Sequence, residues 1–164
     1  MRVMVACASK HGSTEGIAEA IAERLRQLGN DAAAVRVGDV DNLDGVEAAV
    51  LGSAVYAGSW MKDAVEFAEA NAETLAGMPV WLFSSGPLGT EVHDEEDQPR
   101  QLAELSRKLQ PEGHRVFFGA LDIGKLGFGE RMVMKAVKAP EGDFRDWGAI
   151  SAWSDEIARD LSGS

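Results

Sequence analysis

The stretch "VMVACASKHGSTEGIAEAIAERL", residues 3–25, decides the fold class of this chain. It opens with the apolar run Val3–Cys7, as expected of a strand that is buried on both faces. Apolar side chains then recur at helical spacing, at Ile17, Ile21 and Leu25. A short loop of small and hydroxyl residues joins the two elements. The stretch therefore predicts a strand, a tight loop and a helix.

The alternation of strands and helices continues along the chain. Apolar runs predict further strands at Ala32–Val37, Ala48–Leu51, Val80–Phe83 and Val116–Leu121. Apolar residues at helical spacing predict further helices at Ala64–Leu75, Leu102–Leu109 and Trp147–Leu161. Strands joined by helices require right-handed crossovers, which produce parallel neighbours. The sequence therefore predicts an α/β fold, a doubly wound five-stranded parallel sheet with helices on both faces.

A length of 164 residues fits a single domain, residues 1–164. One segment departs from the alternation, an insertion at about 122–145 between the fifth strand and the last helix. Connections of that length are uncommon in compact domains and usually have a function. Residues 125–138 of the insertion are locally basic, with apolar residues between the cations Lys125, Arg131, Lys135 and Lys138. Such a segment either lies on an anionic membrane surface or packs its apolar side on the domain.

The acidic composition limits the classes of partner. The formal net charge is −11, whereas a nucleic-acid-binding face must be basic, so nucleic acid is not expected as a partner. The one cysteine, Cys7, cannot form an internal disulfide, which is typical of a reducing compartment. No apolar stretch reaches the length of a membrane-spanning helix. We expect a cytoplasmic protein, with peripheral contact at the inner membrane face through residues 125–138 as the alternative.

Three loops should flank the ligand crevice of such a sheet, because ligands bind at the carboxyl ends of parallel strands. They are Ser9–Thr14, Ser53–Lys62 and Ser84–Asp97. A helix that begins near Ser13 or Thr14 directs unpaired N–H groups and its positive dipole end at the first loop.

The residue types of the first loop suit an anion. Gly12 leaves room for the backbone to curl around a phosphate. Hydroxyl groups that can donate hydrogen bonds are present at Ser9, Ser13 and Thr14. The alternative is that Ser13 or Thr14 only caps the helix. The position of the loop at the end of the first strand favours the ligand.

Other phosphate-binding motifs do not fit this loop. A dinucleotide fingerprint needs G-x-G-x-x-G, whereas the loop offers only Gly12 and Gly16. A P-loop has its lysine directly after a glycine, whereas Lys10 precedes Gly12. A cysteine-dependent phosphatase would need an arginine at Ser13, so Cys7 is interpreted as a buried strand residue.

The segment "SKHGST", residues 9–14, resembles the phosphate loop of flavodoxins, whose pattern is [ST]-x-x-G-x-T. Ser9, Gly12 and Thr14 fall on the pattern. The resemblance implies a flavodoxin-like fold with FMN as the cofactor. It also implies that the whole loop holds the phosphate of FMN: Ser9, Lys10, His11, Gly12, Ser13 and Thr14.

In flavodoxins the next two loops hold the isoalloxazine ring, and both have counterparts here. The resemblance assigns to this role Ala54, Val55, Tyr56, Ala57, Gly58 and Trp60 after the third strand, and Ser84, Ser85, Gly86, Pro87 and Leu88 after the fourth. Tyr56 falls where flavodoxins often carry an aromatic that stacks on the ring, so it is favoured over Trp60. The alternatives are an aromatic that plugs the end of the sheet and a third loop that is a simple turn.

A finer resemblance concerns the menaquinone-dependent protoporphyrinogen dehydrogenases of the flavodoxin superfamily. It is carried by "GSAVYAGSW" at 52–60, by the long segment after "FFGALDI" at 117–123, and by "DW" at 146–147. In those enzymes FMN carries electrons from the porphyrinogen to a membrane quinone. The resemblance implies an oxidoreductase of heme biosynthesis.

The sequence thus predicts an FMN-binding, flavodoxin-like oxidoreductase akin to these dehydrogenases. Its partners would be small-molecule or protein electron donors and acceptors, with a quinone or a porphyrinogen among them. Two alternatives stay open: a flavodoxin-type electron carrier, and a flavin-free interaction module on the same fold. No residue is singled out as a catalytic acid or base, and His11, His93 and His114 form no metal-binding pattern.

Overall fold

The structure is a computed structural model that describes residues 1–9, 12–56, 59–85, 101–117, 120–121, 142–143 and 146–163; six of these are described by their backbone alone, namely Ser13, Tyr56, Ala120, Leu121, Gly142 and Asp143. Several predicted ligand contacts therefore lie outside the described residues: Lys10, His11, Ala57, Gly58, Gly86, Pro87 and Leu88. The basic segment 125–138 also lies outside them, as does His93.

Short strands and helices alternate along the described chain. The strands are β1 (Arg2–Ala8), β2 (Asp31–Arg36), β3 (Ala48–Tyr56), β4 (Ser59–Trp60), β5 (Val80–Ser85), β6 (Gly113–Phe117), β7 (Ala120–Leu121) and β8 (Gly142–Asp143). The helices are α1 (Ser13–Gln27), α2 (Lys62–Ala70), α3 (Ala72–Ala76), α4 (Leu102–Leu109) and α5 (Trp147–Ser162), with a 3₁₀ turn at Val37–Asp39.

Five strands form a parallel sheet in the order β2-β1-β3-β5-β6. The short β4 pairs antiparallel with β3, so that the two make a hairpin at the end of the sheet. After β2 the chain crosses to the other side of β1 to form β3, and the strand order therefore reverses between β1 and β3. Such a switch point leaves a crevice at the carboxyl ends of the two strands, where ligands bind in open α/β sheets.

Helices cover both faces of the sheet, which confirms the predicted fold class. Alternate residues of β1 enter two separate apolar layers, because successive side chains of a strand point to opposite faces. Val3, Val5 and Cys7 pack with residues of α1 and α5. Met4, Ala6 and Ala8 pack with residues of α2, α3 and α4.

The helix predicted over Ala64–Leu75 is in fact two helices, and the prediction of one helix was wrong. The backbone leaves the helical region at Asn71, with φ −112° and ψ 15°. The side-chain amide of Asn71 donates to the carbonyl oxygen of Phe67 at 2.9 Å. Ala64, Ala68 and Leu75 are nevertheless buried in the same apolar layer. The apolar pattern is continuous across the break for that reason.

The fifth parallel strand begins and ends earlier than the predicted Val116–Leu121. It occupies Gly113–Phe117 at the edge of the sheet, where His114 and Arg115 are tolerated because that strand is partly exposed. Residues Ala120–Leu121 form a separate antiparallel ribbon with Gly142–Asp143. The chain therefore enters and leaves the predicted insertion at adjacent points.

Candidate functional site

Three of the parallel strands bring the three predicted loops to one edge of the sheet. Ala8, the last residue of β1, pairs with Ser53, and β3 continues beyond that pair to Tyr56. Further along β3, Ala54 pairs with Ser85, the last residue of β5. The three loops predicted to hold a phosphate and a ring therefore start from neighbouring positions at the switch point.

The N-terminus of α1 is open toward the crevice. Its first flanking residue is Gly12, whose φ of 88° lies in the left-handed region that glycine adopts without strain. Among the described side chains none caps the helix, and the N–H of Gly12 donates to the Oγ of Ser9 at 3.0 Å. The backbone N–H groups of the first turn have no partner within the helix. Together with the helix dipole they favour an anion at this position.

Thr14 lies in the first turn of α1 and is fully buried. Its Oγ1 has no hydrogen-bond partner within the part of the chain that the structure describes. The capping alternative therefore does not hold for Thr14. Buried hydroxyls are almost always paired, and an unpaired one costs about 1–3 kcal/mol. A phosphate oxygen bound at this turn would supply the missing acceptor, so these residues fit a phosphorylated ligand.

The second loop is held by hydrogen bonds at its base. The buried Ser53 donates from its Oγ to the carbonyl oxygen of Ala54 at 2.8 Å and accepts from the N–H of Met61 at 2.9 Å. Ala54 is buried and Val55 is half-buried. These contacts fix both ends of the β3–β4 hairpin that carries Tyr56.

Trp60 belongs to the apolar layer beneath α2, α3 and α4 rather than to an exposed surface. Its side chain is 3% exposed and lies among Leu51, Leu82 and Leu102. The indole Nε1 donates to the Oγ of Ser84 at 2.8 Å. Trp60 thus plugs the end of the sheet, which is one of the two roles considered for the aromatics of this loop.

The third loop begins with two buried serines at the end of β5. The Oγ of Ser84 contacts Nε1 of Trp60 and lies 2.9 Å from Nε2 of His114. The Oγ of Ser85 is buried and finds no partner among the described residues. Ser85 and Thr14 therefore each bring to the edge of the sheet where the predicted loops meet a buried hydroxyl that no described residue pairs.

Two titratable side chains near the site are held in their neutral forms. Burial, followed by the charge of Arg115, lowers the pKa of His114 to about 4, so its imidazole is neutral at neutral pH. Burial, followed by the charge of Glu15, raises the pKa of the Cys7 thiol to about 11, against a smaller lowering by Arg36. A protonated, buried thiol is a poor nucleophile. The interpretation of Cys7 as a strand residue is consistent with this environment.

His114 and Gln101 contact residues of the candidate site, although the sequence did not predict a role for either. Gln101, which precedes α4, accepts from the backbone N–H of Trp60 at 3.2 Å, and His114 contacts Ser84 from β6. No local pattern identifies either residue, since their partners lie 41 and 30 positions away in the sequence. Within the described ranges, no group of three or more His, Cys, Asp or Glu side chains could hold a metal ion.

A doubly wound parallel sheet with its switch point between the first and third strands is the flavodoxin-like arrangement. Residues 4–147 match the family model of the flavodoxin domain, and the chain belongs to that family. The sequence is 21% identical to the protoporphyrinogen IX dehydrogenase (quinone) of Escherichia coli strain K12 over 172 aligned positions, which cover 96% of this chain and 95% of the relative.

Solved structures of flavodoxins have the same fold as this chain. A flavodoxin from the domain Archaea matches with a TM-score of 0.66 at 19% identity, and the match covers 99% of each chain. Oxidised flavodoxin 1 from Bacillus cereus matches with a TM-score of 0.63 at 17% identity, over 97% of this chain and 98% of that one. None of the helices in the described part of the chain is long and apolar enough to cross a membrane.

Proposed function

We propose that this protein binds FMN at the β1–β3 switch point and works as a flavin-dependent redox protein. The observation that carries the proposal is the buried Oγ1 of Thr14, which has no partner among the described residues and lies in the first turn of a helix that none of their side chains caps. A phosphate at that turn would accept from this hydroxyl and from the open backbone N–H groups. Ser9, Lys10, His11, Gly12 and Ser13 would complete the phosphate loop.

The ring of the flavin would lie between the two following loops. Ala54, Val55, Tyr56, Ala57 and Gly58 would flank one side, with Tyr56 as the stacking aromatic, because Trp60 is already buried against Ser84. On the other side, Ser85, Gly86, Pro87 and Leu88 would face the polar edge of the ring, with the unpaired Oγ of Ser85 available as a donor. When bound, the isoalloxazine supplies the electron-transfer chemistry, and the protein supplies its orientation.

A flavin titration tests this proposal directly. We expect the purified protein to take up FMN with quenching of flavin fluorescence, and to take up riboflavin more weakly because riboflavin lacks the phosphate. Thr14→Val should remove most of the difference between the two ligands. A colourless protein that quenches neither flavin would instead favour the flavin-free interaction module.

We further propose that the redox partner is a quinone and that the substrate is a porphyrinogen, as the name of the Escherichia coli relative states for that protein. The support is a match over almost the full length of both chains, which includes residues 122–145. The alternative is a flavodoxin-type electron carrier, which the structural neighbours favour equally.

Removal of the insertion separates the dehydrogenase from the carrier. Deletion of residues 124–141 retains β7 and β8, whose paired residues Leu121 and Gly142 flank the deleted segment. Anaerobic reduction of the FMN-loaded protein would be followed with protoporphyrinogen, with quinones and with a flavodoxin reductase. A dehydrogenase should lose quinone turnover on deletion, whereas a carrier should exchange electrons with the reductase as before.

Residues 125–138 are proposed to bring the protein to the membrane surface where a quinone resides. Vesicles of anionic lipid should then sediment the full chain, and neutral vesicles should not. Replacing Lys125, Arg131, Lys135 and Lys138 by glutamine should abolish that sedimentation while leaving FMN binding unchanged.

A further inference from the structure

We propose that Ser84 and His114 are positioning residues that hold the β3–β4 hairpin against the end of β5 and thereby set the affinity of the site for the flavin ring. The inference rests on the proposed function, since it concerns the same site. It assigns a role to a hydrogen-bonded chain of three side chains, from Trp60 through Ser84 to His114.

Only the first bond of this hydrogen-bonded chain has a fixed direction. An indole nitrogen can only donate, so Trp60 Nε1 donates to Ser84 Oγ across 2.8 Å. Nε2 of His114 lies 2.9 Å from the same Oγ. With its proton on Nδ1, the neutral imidazole accepts from Ser84, and with its proton on Nε2 it donates to Ser84, whose hydroxyl can accept two hydrogen bonds. Either tautomer joins the three side chains.

The same chain links elements that carry different ligand loops. Trp60 is the last residue of β4, four positions after Tyr56, while Ser84 is the second-last residue of β5. Two further bonds hold the hairpin from outside: the backbone N–H of Trp60 donates to Gln101, and that of Met61 donates to Ser53. The separation between the two predicted ring loops is therefore fixed by side chains rather than by the sheet ladder alone.

Because the hydrogen-bonded side chains Trp60 and Ser84 are buried, the loss of one bond should change the separation between the two loops. Ser84 and Trp60 are 1% and 3% exposed, so water does not compete for their hydrogen bonds. Loss of one member leaves a buried polar group unpaired, and the hairpin must shift or admit water to satisfy it. None of the hydrogen bonds that hold the hairpin involves a residue of α1, whose first turn is the proposed phosphate site. The chain should thus govern contacts to the ring and leave contacts to the phosphate unchanged.

Titration with two ligands separates these contributions. The full chain would be titrated with FMN and with riboflavin, which share the ring and differ in the phosphate. Ser84→Ala and His114→Leu should raise both dissociation constants by about tenfold, equivalent to one hydrogen bond to the ring lost when the hairpin shifts, and leave their ratio unchanged. Thr14→Val should raise the dissociation constant for FMN alone. His114→Gln, whose amide oxygen can accept from Ser84, should recover most of the lost affinity.

A matched control variant distinguishes a loss of flavin affinity from a general loss of stability. Ser154 in α5 is also a fully buried serine, and its Oγ donates to the carbonyl oxygen of Ile150 at 2.8 Å, away from the switch point. Ser154→Ala should lower stability as Ser84→Ala does, yet leave both flavin affinities and the visible spectrum of the bound flavin as they are. The spectrum should shift in Ser84→Ala, because the ring surroundings change.

The outcomes that would overturn the inference are distinct. If both Ser84→Ala and His114→Leu leave the riboflavin affinity and the flavin spectrum unchanged, the three hydrogen-bonded side chains stabilise the fold and do not position the ring. If either variant fails to fold, Trp60→Phe removes the indole donor while keeping an aromatic side chain, and the same comparison decides. Failure of the unsubstituted protein to bind either flavin would overturn the proposed function and this inference together.

Discussion

Phe83 of β5 lies directly against the α-carbon of Gly52, its register partner on β3. A β-carbon at position 52 would overlap the ring of Phe83. That ring has no space to retreat, because its centroid is 6.2 Å from those of both Phe117 and Trp153. The glycine is therefore required by a close approach between neighbouring strands, in the layer that α1 and α5 cover.

Gly52→Ala should destabilise the fold. Overpacking a closed core costs about 1–3 kcal/mol, and the gain from removing a glycine from a strand offsets only about 0.5–1 kcal/mol. We expect a net loss of about 1–2 kcal/mol in the free energy of unfolding, measured by urea denaturation. Gly38→Ala is the control, since a β-carbon there meets no atom within 4 Å. Equal stability of the two variants would contradict the interpretation.

Thr14→Val should separate stability from function. Valine has nearly the shape of threonine and removes a buried hydroxyl that has no partner in the described structure, so the FMN-free protein should be as stable as before or more stable. Affinity for FMN should fall by about tenfold or more, because a hydrogen bond to a charged phosphate is lost. Fluorescence titration and thermal denaturation measure the two effects.

Lys10→Ala provides the comparison for Thr14→Val. A lysine would attract the phosphate by a charge that salt screens, whereas Thr14 would add a buried hydrogen bond, so the lysine variant should lose less FMN affinity. Thr14→Ser retains the hydroxyl and should keep most of the affinity. A larger loss in Lys10→Ala than in Thr14→Val would mean that the loop holds its phosphate mainly by charge.

The sheet could be predicted from the sequence because its central strands are apolar on both faces, where they pack in two apolar layers. Val3–Cys7 and Val80–Phe83 are continuous apolar runs, since each strand is covered on both faces. The edge strand β6 gave a weaker signal and was predicted too late in the chain, because His114 and Arg115 do not need to be apolar there. A strand that is buried on both faces can be predicted from its sequence because most of its residues are apolar.

The hydrogen-bonded part of the site could not be predicted in the same way. Thr14 lies within one local motif, and its position at a helix start could be inferred from the strand, glycine and helix around it. The partners of Trp60 are Ser84 and Gln101, which come from other elements. Pairing of that kind depends on tertiary distances that no local period encodes. The sequence indicated which loops meet at the site, and the structure adds what fixes two of them.

His114 should make the stability of the FMN-free protein depend on pH. Its pKa in the folded state is about 4, with burial as the main cause, whereas an unfolded histidine titrates near 6.5. Between those values the unfolded chain binds more protons than the folded one, so stability must fall as the pH is lowered from about 6.5 to about 4.

Comparison with His114→Gln isolates this contribution. Glutamine does not titrate, so the stability of the unsubstituted protein relative to the variant should decrease steadily across that pH window and be constant above it. Urea denaturation of both proteins at several pH values provides the difference, in which the titration of all shared groups cancels. A difference that does not vary with pH would mean that His114 keeps an ordinary pKa in the folded protein.

Cys7 should be chemically inert in the folded protein. Its side chain is 2% exposed and its pKa is raised to about 11. Near pH 8, a thiol with that pKa has on the order of a hundredfold less thiolate than an ordinary cysteine, and the thiolate is the reactive form. Modification by iodoacetamide should therefore be at least a hundredfold slower than in concentrated guanidinium chloride, where the chain's one thiol should react fully. Rapid modification of the native protein would instead support a nucleophilic Cys7. It would then also support the hypothesis that the loop after Cys7 is that of a cysteine-dependent phosphatase.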